Sequence, residues 1–237
     1  MRELNIKELK QTALEKLEKN WMSTLQINLI LCVLAIFIEV PLSVLRNPSL
    51  LNKGMISDRV FVIATFLYLV YIIIKAPIHY GIKAFYLNIS RGLGGRVKDL
   101  FSGYKQFFPI FKLLFLQTFF VILWSFLFII PGVIKSYSYS QTLRLKKDNP
   151  DMKALDCITE SRKIMDGYKM DYFILKLSFI GWYLLVPLTF DMLGFWLYPY
   201  IEVSNAEFYE KLKLIKYGSN DSLEKIKEIE REIGEEF

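Results

Sequence analysis

The sequence predicts an all-α integral membrane protein of about six transmembrane helices in three hairpins, with interfacial amphipathic helices leading them. Three observations predict it. The first is the length of the uncharged runs: Asn20–Ile38 carries no charge over 19 residues and Leu113–Ile134 none over 22. Each is close to the roughly 20 apolar residues that a helix needs to cross a ~30 Å hydrocarbon core. The second is composition, with 53% of the 237 residues hydrophobic and 16% aromatic, richer than an ordinary soluble domain. The third is the placement of positive charge. Segments 1–20, 81–107, 143–171 and 210–237 hold 5, 5, 7 and 6 Lys and Arg, whereas 187–198 holds none. Basic segments stay on the cytoplasmic side, so an even number of crossings must join each to the next.

That parity sets the hairpins at about 22–45 with 60–82, 108–130 with 133–147, and 172–187 with 190–209, with both termini cytoplasmic. The run Val60–Gly81 is interrupted only by Lys75. Segment 133–147 is polar for a span and has to pack against neighbours. Phe173–Ile201 is too long for one straight crossing at ~1.5 Å per residue, and its interruptions predict two helices meeting near Pro187–Asp191. Pro131-Gly132 predicts a turn. The alternative has four spans, with the latter two pairs each reduced to one tilted helix. It would place 81–107 and 143–171 on opposite sides despite their shared basic character.

Amphipathic stripes precede the hairpins. Ile6, Leu9, Ala13, Leu17 and Trp21 recur at helical spacing, and Met152, Leu155, Ile158, Arg162 and Met165 approximate the same pattern. Gly103-Tyr104-Lys105 and Gly167-Tyr168-Lys169 mark equivalent points 64 residues apart. The chain divides into one membrane domain, 1–215, and an amphipathic cytoplasmic tail, 216–237. In the tail Asp221 and Glu224 resemble a helix start, ahead of Leu223, Ile226, Ile229 and Ile233.

Recognisable catalytic chemistry is missing from the pattern. There is no nucleophile elbow, paired-acid motif or kinase signature, and Gly92-Leu93-Gly94-Gly95 lacks the preceding strand and Lys-Ser/Thr of a phosphate loop. No enzyme activity, cofactor or metal is expected: the single histidine, His79, has no thiol or carboxylate cluster beside it, and Cys32 and Cys157 read as packing residues. The net charge of +6 and the basic inner segments suit anionic lipid headgroups at the inner face. The expected partners are the bilayer itself and a protein partner or second copy of the chain, not nucleic acid, which would need a soluble basic module.

Ionisable residues at membrane depth are costly and mark candidate sites. Lys112 and Lys176 lie just inside helix starts, where snorkelling accounts for them. Glu39 and Asp191 fall near the outer ends. Lys75, Lys135 and Glu202 differ, because each lies in the second helix of its hairpin near a proline (Pro77, Pro131 and Pro199). A proline frees a backbone carbonyl that another group must satisfy. The three are expected to converge on one polar site, with Glu202 pairing a lysine, His79 close by, and Tyr80, Tyr137, Tyr139 and Tyr200 lining it. A charge pair that locks the bundle implies a membrane scaffold or accessory protein. A ligand or ion pathway implies a small transporter or channel.

These landmarks together resemble a bacterial multi-pass membrane-protein family known only as a domain of unknown function, family 975 (DUF975). The resemblance is carried by Tyr80-Gly81, Ser90-Arg91-Gly92, Asp99-Leu100-Phe101-Ser102-Gly103-Tyr104, Ile129-Ile130-Pro131-Gly132-Val133-Ile134-Lys135, Tyr137-Ser138-Tyr139-Ser140, Met165-Asp166-Gly167, Leu177-Ser178-Phe179-Ile180-Gly181-Trp182 and Tyr198-Pro199-Tyr200. It extends over essentially 1–215 and implies a multi-pass protein of the bacterial plasma membrane, with no activity or substrate attached. The chain is also distantly similar to the membrane domain joined to some glycerophosphodiester phosphodiesterases, which implies an accessory role.

In a background without Cys32 and Cys157, single cysteines at Ser57 and Thr189 should react with an impermeant thiol reagent from outside the cell, and one at Asn149 should not. Outside labelling at 149 would overturn the three-hairpin topology.

Overall fold

Asn5 opens the first helix. Its backbone is extended and its side-chain oxygen accepts the Glu8 N–H at 3.2 Å, which satisfies one of the donors a helix start leaves unpaired. Helix α1 (Ile6–Glu18) buries Leu9, Ala13 and Leu17, the central part of the predicted stripe. The structure, a computed structural model, describes residues 4–45, 58–189 and 192–235. The turn of the first hairpin, the Glu39 side chain and Asp191 lie outside the described residues.

After α1 come α2 (Trp21–Leu45), α3 (Asp58–Ser90) and a short α4 (Val97–Leu100) that runs into a 3-10 turn at Ser102–Gln106. Then follow α5 (Phe107–Leu127), α6 (Ile129–Ser138), α7 (Thr142–Asp148), α8 (Ala154–Ile164), α9 (Lys169–Leu177) and α10 (Ile180–Leu185). A 3-10 turn at Pro187–Thr189 leads to α11 (Met192–Glu235). Among the described residues there is no strand.

Side-chain pairs fix the antiparallel registers. In the second hairpin Gly132 lies against Ser125, the Lys135 ammonium sits 4.5 Å over the Trp124 ring, and Thr142 Oγ1 donates to Gln117 Oε1 at 2.5 Å. Helices α6 and α7 therefore return alongside α5. In the third hairpin Gly194 lies against Val186, Tyr200 meets Phe179 at 5.2 Å and Phe208 meets Tyr172 at 5.1 Å. In the first, the Tyr86 hydroxyl reaches Asn28 Oδ1 at 3.4 Å.

Several boundaries differ from the expectation. The turn of the second hairpin falls on the extended residue Phe128, so Pro131 and Gly132 lie in the first turn of α6, where a proline removes no intrahelical hydrogen bond. Segment 133–147 is two short helices, not one. On α8 the buried residues are Ala154, Cys157, Ile158, Ser161 and Ile164, while Leu155 is exposed; the stripe is turned by about one position from the predicted one. Helix α11 runs on through Gly218 and Asp221, so the tail is its continuation, not a separate helix. Of the two cysteines, Cys157 is packed in the core and Cys32 is exposed.

Two helical stretches among the described residues are long and apolar enough to cross a membrane: Val97–Leu127 and Lys169–Thr189. A shorter apolar helix covers Trp21–Leu34. Only 11% and 17% of the most apolar windows of the two long stretches are buried. Phe126, Ile129 and Phe128 at the tip of the second hairpin are 86%, 79% and 71% exposed. A core helix of a water-soluble protein would be covered.

At the other end of the bundle the α4 segment is clamped to α3 by two glycines. A Cβ at Gly81 would sit 1.8 Å from the Leu100 carbonyl oxygen, and one at Gly103 would sit 2.2 Å from the Pro77 carbonyl oxygen. Gly167 serves a different need, because its φ of +85° is left-handed and costs glycine little. The two Gly-Tyr-Lys triplets thus share letters but not backbone geometry.

Gly81→Ala should lower the thermal unfolding temperature of purified protein by the equivalent of about 1–3 kcal/mol, the cost of overpacking. Gly181→Ala, with nothing within 4 Å of the added carbon, should leave it unchanged or raise it slightly. Equal effects at both positions would remove close approach as the reason for Gly81.

Candidate functional site

Glu202 lies on α11 where α3 and α7 converge, 5% exposed. Burying a carboxylate costs several kcal/mol unless hydrogen-bonded partners compensate it. Lys83 on α3 donates to both carboxylate oxygens at 2.8 Å, and Arg144 Nη2 on α7 lies 3.4 Å from Oε2. Arg144, 2% exposed, also donates from Nη1 to Gln141 Oε1 at 3.2 Å. Each hairpin contributes one residue from its returning strand of helix: Lys83, Arg144 and Glu202. The result is a three-way ionic junction.

A second ionic layer joins the same three elements about two turns further toward the basic end. Arg91, the residue that follows α3, spans Asp148 at 2.7 Å and Glu210 at 2.7 Å. Asp148 at the end of α7 also accepts hydrogen bonds from the Tyr209 hydroxyl at 2.8 Å and from Lys213 at 2.7 Å, both on α11. Burial pushes the Asp148 carboxyl up, but the hydrogen bonds from Lys213, Arg91 and Tyr209 outweigh it and hold it below the usual carboxylate range. Helix α1 closes the layer: Lys16 donates to Glu207 at 2.7 Å and to the Ser90 carbonyl at 2.6 Å.

The predicted candidates are dispersed around this junction. Of Lys75, Lys135 and Glu202, only Glu202 is in it. Lys75 is exposed on α3, its ammonium 5.2 Å from the Tyr71 ring. Lys135 is half-buried against Trp124. His79 is exposed. Tyr137 packs on Tyr172 at 5.6 Å, Tyr139 is buried in the cluster with Tyr80, Ile110 and Leu113, and Tyr200 packs on Phe179. These three tyrosines fill separate packing sites. Lys176 is half-buried, 5.3 Å over the Tyr172 ring, and Lys112 is exposed.

Lys75 shares α3 with Lys83, eight positions before it, whereas Lys135 lies on α6 and Arg144 on the next helix, α7. The partners of Glu202 in the junction are Lys83 and Arg144. The signal available for Arg144 was its place between Leu143 and Leu145, a charge set in an apolar flank. For Lys83 there was none, because it counts simply as one of the basic residues of 81–107.

Proline proximity has a different meaning here. Pro199 lacks the N–H that would bond the Phe195 carbonyl. Asn28 Nδ2 on α2 takes that place, donating to Phe195 O at 2.7 Å. The freed carbonyl is a docking point between the first and third hairpins, secured by Trp21 stacked on Trp196 at 4.5 Å. Among the described residues no group of three or more His, Cys, Asp and Glu is placed to hold a metal ion.

Residues 129–216, which contain α6 to the first half of α11 and hence Arg144, Asp148 and Glu202, match the family described as Protein of unknown function (DUF975). The likeness is to that segment, 88 of the 237 residues. DUF975 thus covers the second side of the junction and all of the third hairpin, while Lys83 and Arg91 lie before the matched residues. No curated protein and no solved structure matches the chain.

Glu202→Gln should destabilise the purified protein by about 3–5 kcal/mol, the cost of leaving buried cations without their counterion. Replacing the trio together, Lys83→Met, Arg144→Met and Glu202→Leu, should recover much of that loss. Thermal melts in detergent check both, and a Glu202→Gln protein as stable as the native one would show that the junction holds nothing together.

Proposed function

We propose that this chain is a membrane-embedded scaffold or accessory protein of the bacterial plasma membrane. Its three hairpins lie in the bilayer, and its basic end, with both termini, lies on the cytoplasmic side. The observation that carries the membrane reading is the uncovered apolar surface of Val97–Leu127 and Lys169–Thr189. A contiguous apolar face of that size on a soluble monomer would be an aggregation liability, and in a bilayer it meets lipid.

The scaffold role is supported by what surrounds Glu202. A transport site needs an ionisable group that exchanges ligand with a pathway. Glu202 is instead held on both oxygens by Lys83 and closed over by Arg144. Lys75 is exposed beside Tyr71, and Lys135 packs on Trp124. An acid so enclosed suits a lock between hairpins better than a station for a solute. The partners of such a scaffold are the bilayer, anionic headgroups at the inner face, and another protein or a second copy.

Two measurements test the proposal. Tagged protein should remain in the membrane pellet after an alkaline carbonate wash, and release into the supernatant would sink the membrane reading. Proteoliposomes should show no flux of protons, sodium or potassium above empty vesicles. Flux that is present in the native protein and lost in a folded Glu202→Gln variant would replace the scaffold reading with a small transporter or channel.

A further inference from the structure

Beyond the junction, one cleft of about 400 Å³ gathers cations that the ionic layers do not use. Lys135, Ser138, Thr159, Arg162, Lys163, Asp166 and Lys169 line it. It lies between α6, α8 and the start of α9. Two of its cations have carboxylate partners: Lys163 pairs with Glu160 at 3.1 Å and Lys169 with Asp166 at 3.7 Å. Glu160 is further engaged by the Tyr217 hydroxyl. Among the described residues Lys135 and Arg162 have no carboxylate partner. The cleft therefore presents an excess of positive charge, with an exposed guanidinium and a half-buried ammonium at its mouth.

Its surroundings argue for what fills it. Val133 and Ile134 on α6 and Met170, Phe173 and Ile174 on α9 are exposed beside it. The Lys135 ammonium is held over the Trp124 ring at the edge of this apolar surface, a cation–π contact that positions a charge at an apolar boundary. A compact anion next to hydrocarbon is the chemistry of a phospholipid headgroup. An arginine fork matches phosphate oxygens, and lysine supplies a second point charge.

We propose that this cleft binds the phosphate group of an anionic phospholipid at the rim of the second and third hairpins. The lipid's acyl chains run along the exposed faces of α6 and α9. This rests on the membrane reading above, and the experiment separates the two.

Protein in phosphatidylcholine nanodiscs doped with phosphatidylglycerol is released into detergent, and the phosphatidylglycerol retained per protein is measured by native mass spectrometry. The native protein should enrich it over phosphatidylcholine. The Lys135→Gln/Arg162→Gln variant should reduce that enrichment about thirty-fold, equivalent to about 2 kcal/mol. A Lys98→Gln/Lys105→Gln variant, which removes two exposed cations elsewhere, should retain it. Equal enrichment in the cleft variant and the native protein overturns the site, as does equal loss in both variants. Displacement of phosphatidylglycerol by millimolar inorganic phosphate overturns the lipid as occupant and assigns the cleft to free phosphate. A cleft variant that resists carbonate extraction yet keeps its lipid refutes the cleft alone and leaves the membrane reading standing.

Discussion

A carboxylate with almost no contact with water is stable as an anion only while cations stay within hydrogen-bonding reach, and Glu202 meets that requirement with residues from two other hairpins. Lys83 is 119 positions away in sequence and Arg144 is 58. Moving any one of the three elements by a single turn would separate charges that have no solvent to fall back on. The junction therefore fixes the relative height of α3, α7 and α11, and other contacts follow from that height. Arg91 can span Asp148 and Glu210 because Lys83 has already placed α3 against α11. Lys16 on α1 finds Glu207 and the end of α3 for the same reason. Such buried ionic clusters are poor sources of net stability. What this one supplies is registration among helices that would otherwise slide.

Registration matters here because the apolar part of the molecule does so little of it. The tip of the second hairpin and most of α10 are exposed, so those segments touch few side chains that would define their positions. In the bilayer proposed for this chain, pressing two such helices together would bring no hydrophobic gain. The bundle is held near its basic end by charge and at a few points by shape: Gly81 against Leu100, Gly132 against Ser125, and Asn28 on the carbonyl freed by Pro199.

The helical class and the amphipathic first helix were legible in the sequence because each rests on composition or local periodicity. Leu9, Ala13 and Leu17 lie on the buried face as their spacing requires. Glu202 was legible because a lone acid in an apolar run is costly wherever it lies. Its partners were not. Lys83 and Arg144 sit among basic residues that a charge count assigns to headgroups, and nothing local distinguishes a lysine facing lipid phosphate from one facing a carboxylate on another helix. Proline drew attention to Lys75 and Lys135, but of the prolines near them Pro131 falls in the first turn of α6, where it frees no intrahelical carbonyl. The shift of the α8 stripe has a similar origin: Ser161 is buried because it bonds Ser138 O at 2.8 Å, a partner that hydrophobic spacing cannot register.

The junction also has a direction in time. Ribosomal synthesis delivers Lys83 first, Arg144 next and Glu202 last, so the growing chain carries both cations before their counterion exists. Until residue 202 is made, Lys83 and Arg144 lack the carboxylate they share in the folded chain. Closure of the junction therefore waits for synthesis of α11 as far as Glu202. A chain cut short before residue 202 is left with two cations lacking their shared counterion, the kind of defect on which a quality-control protease can act.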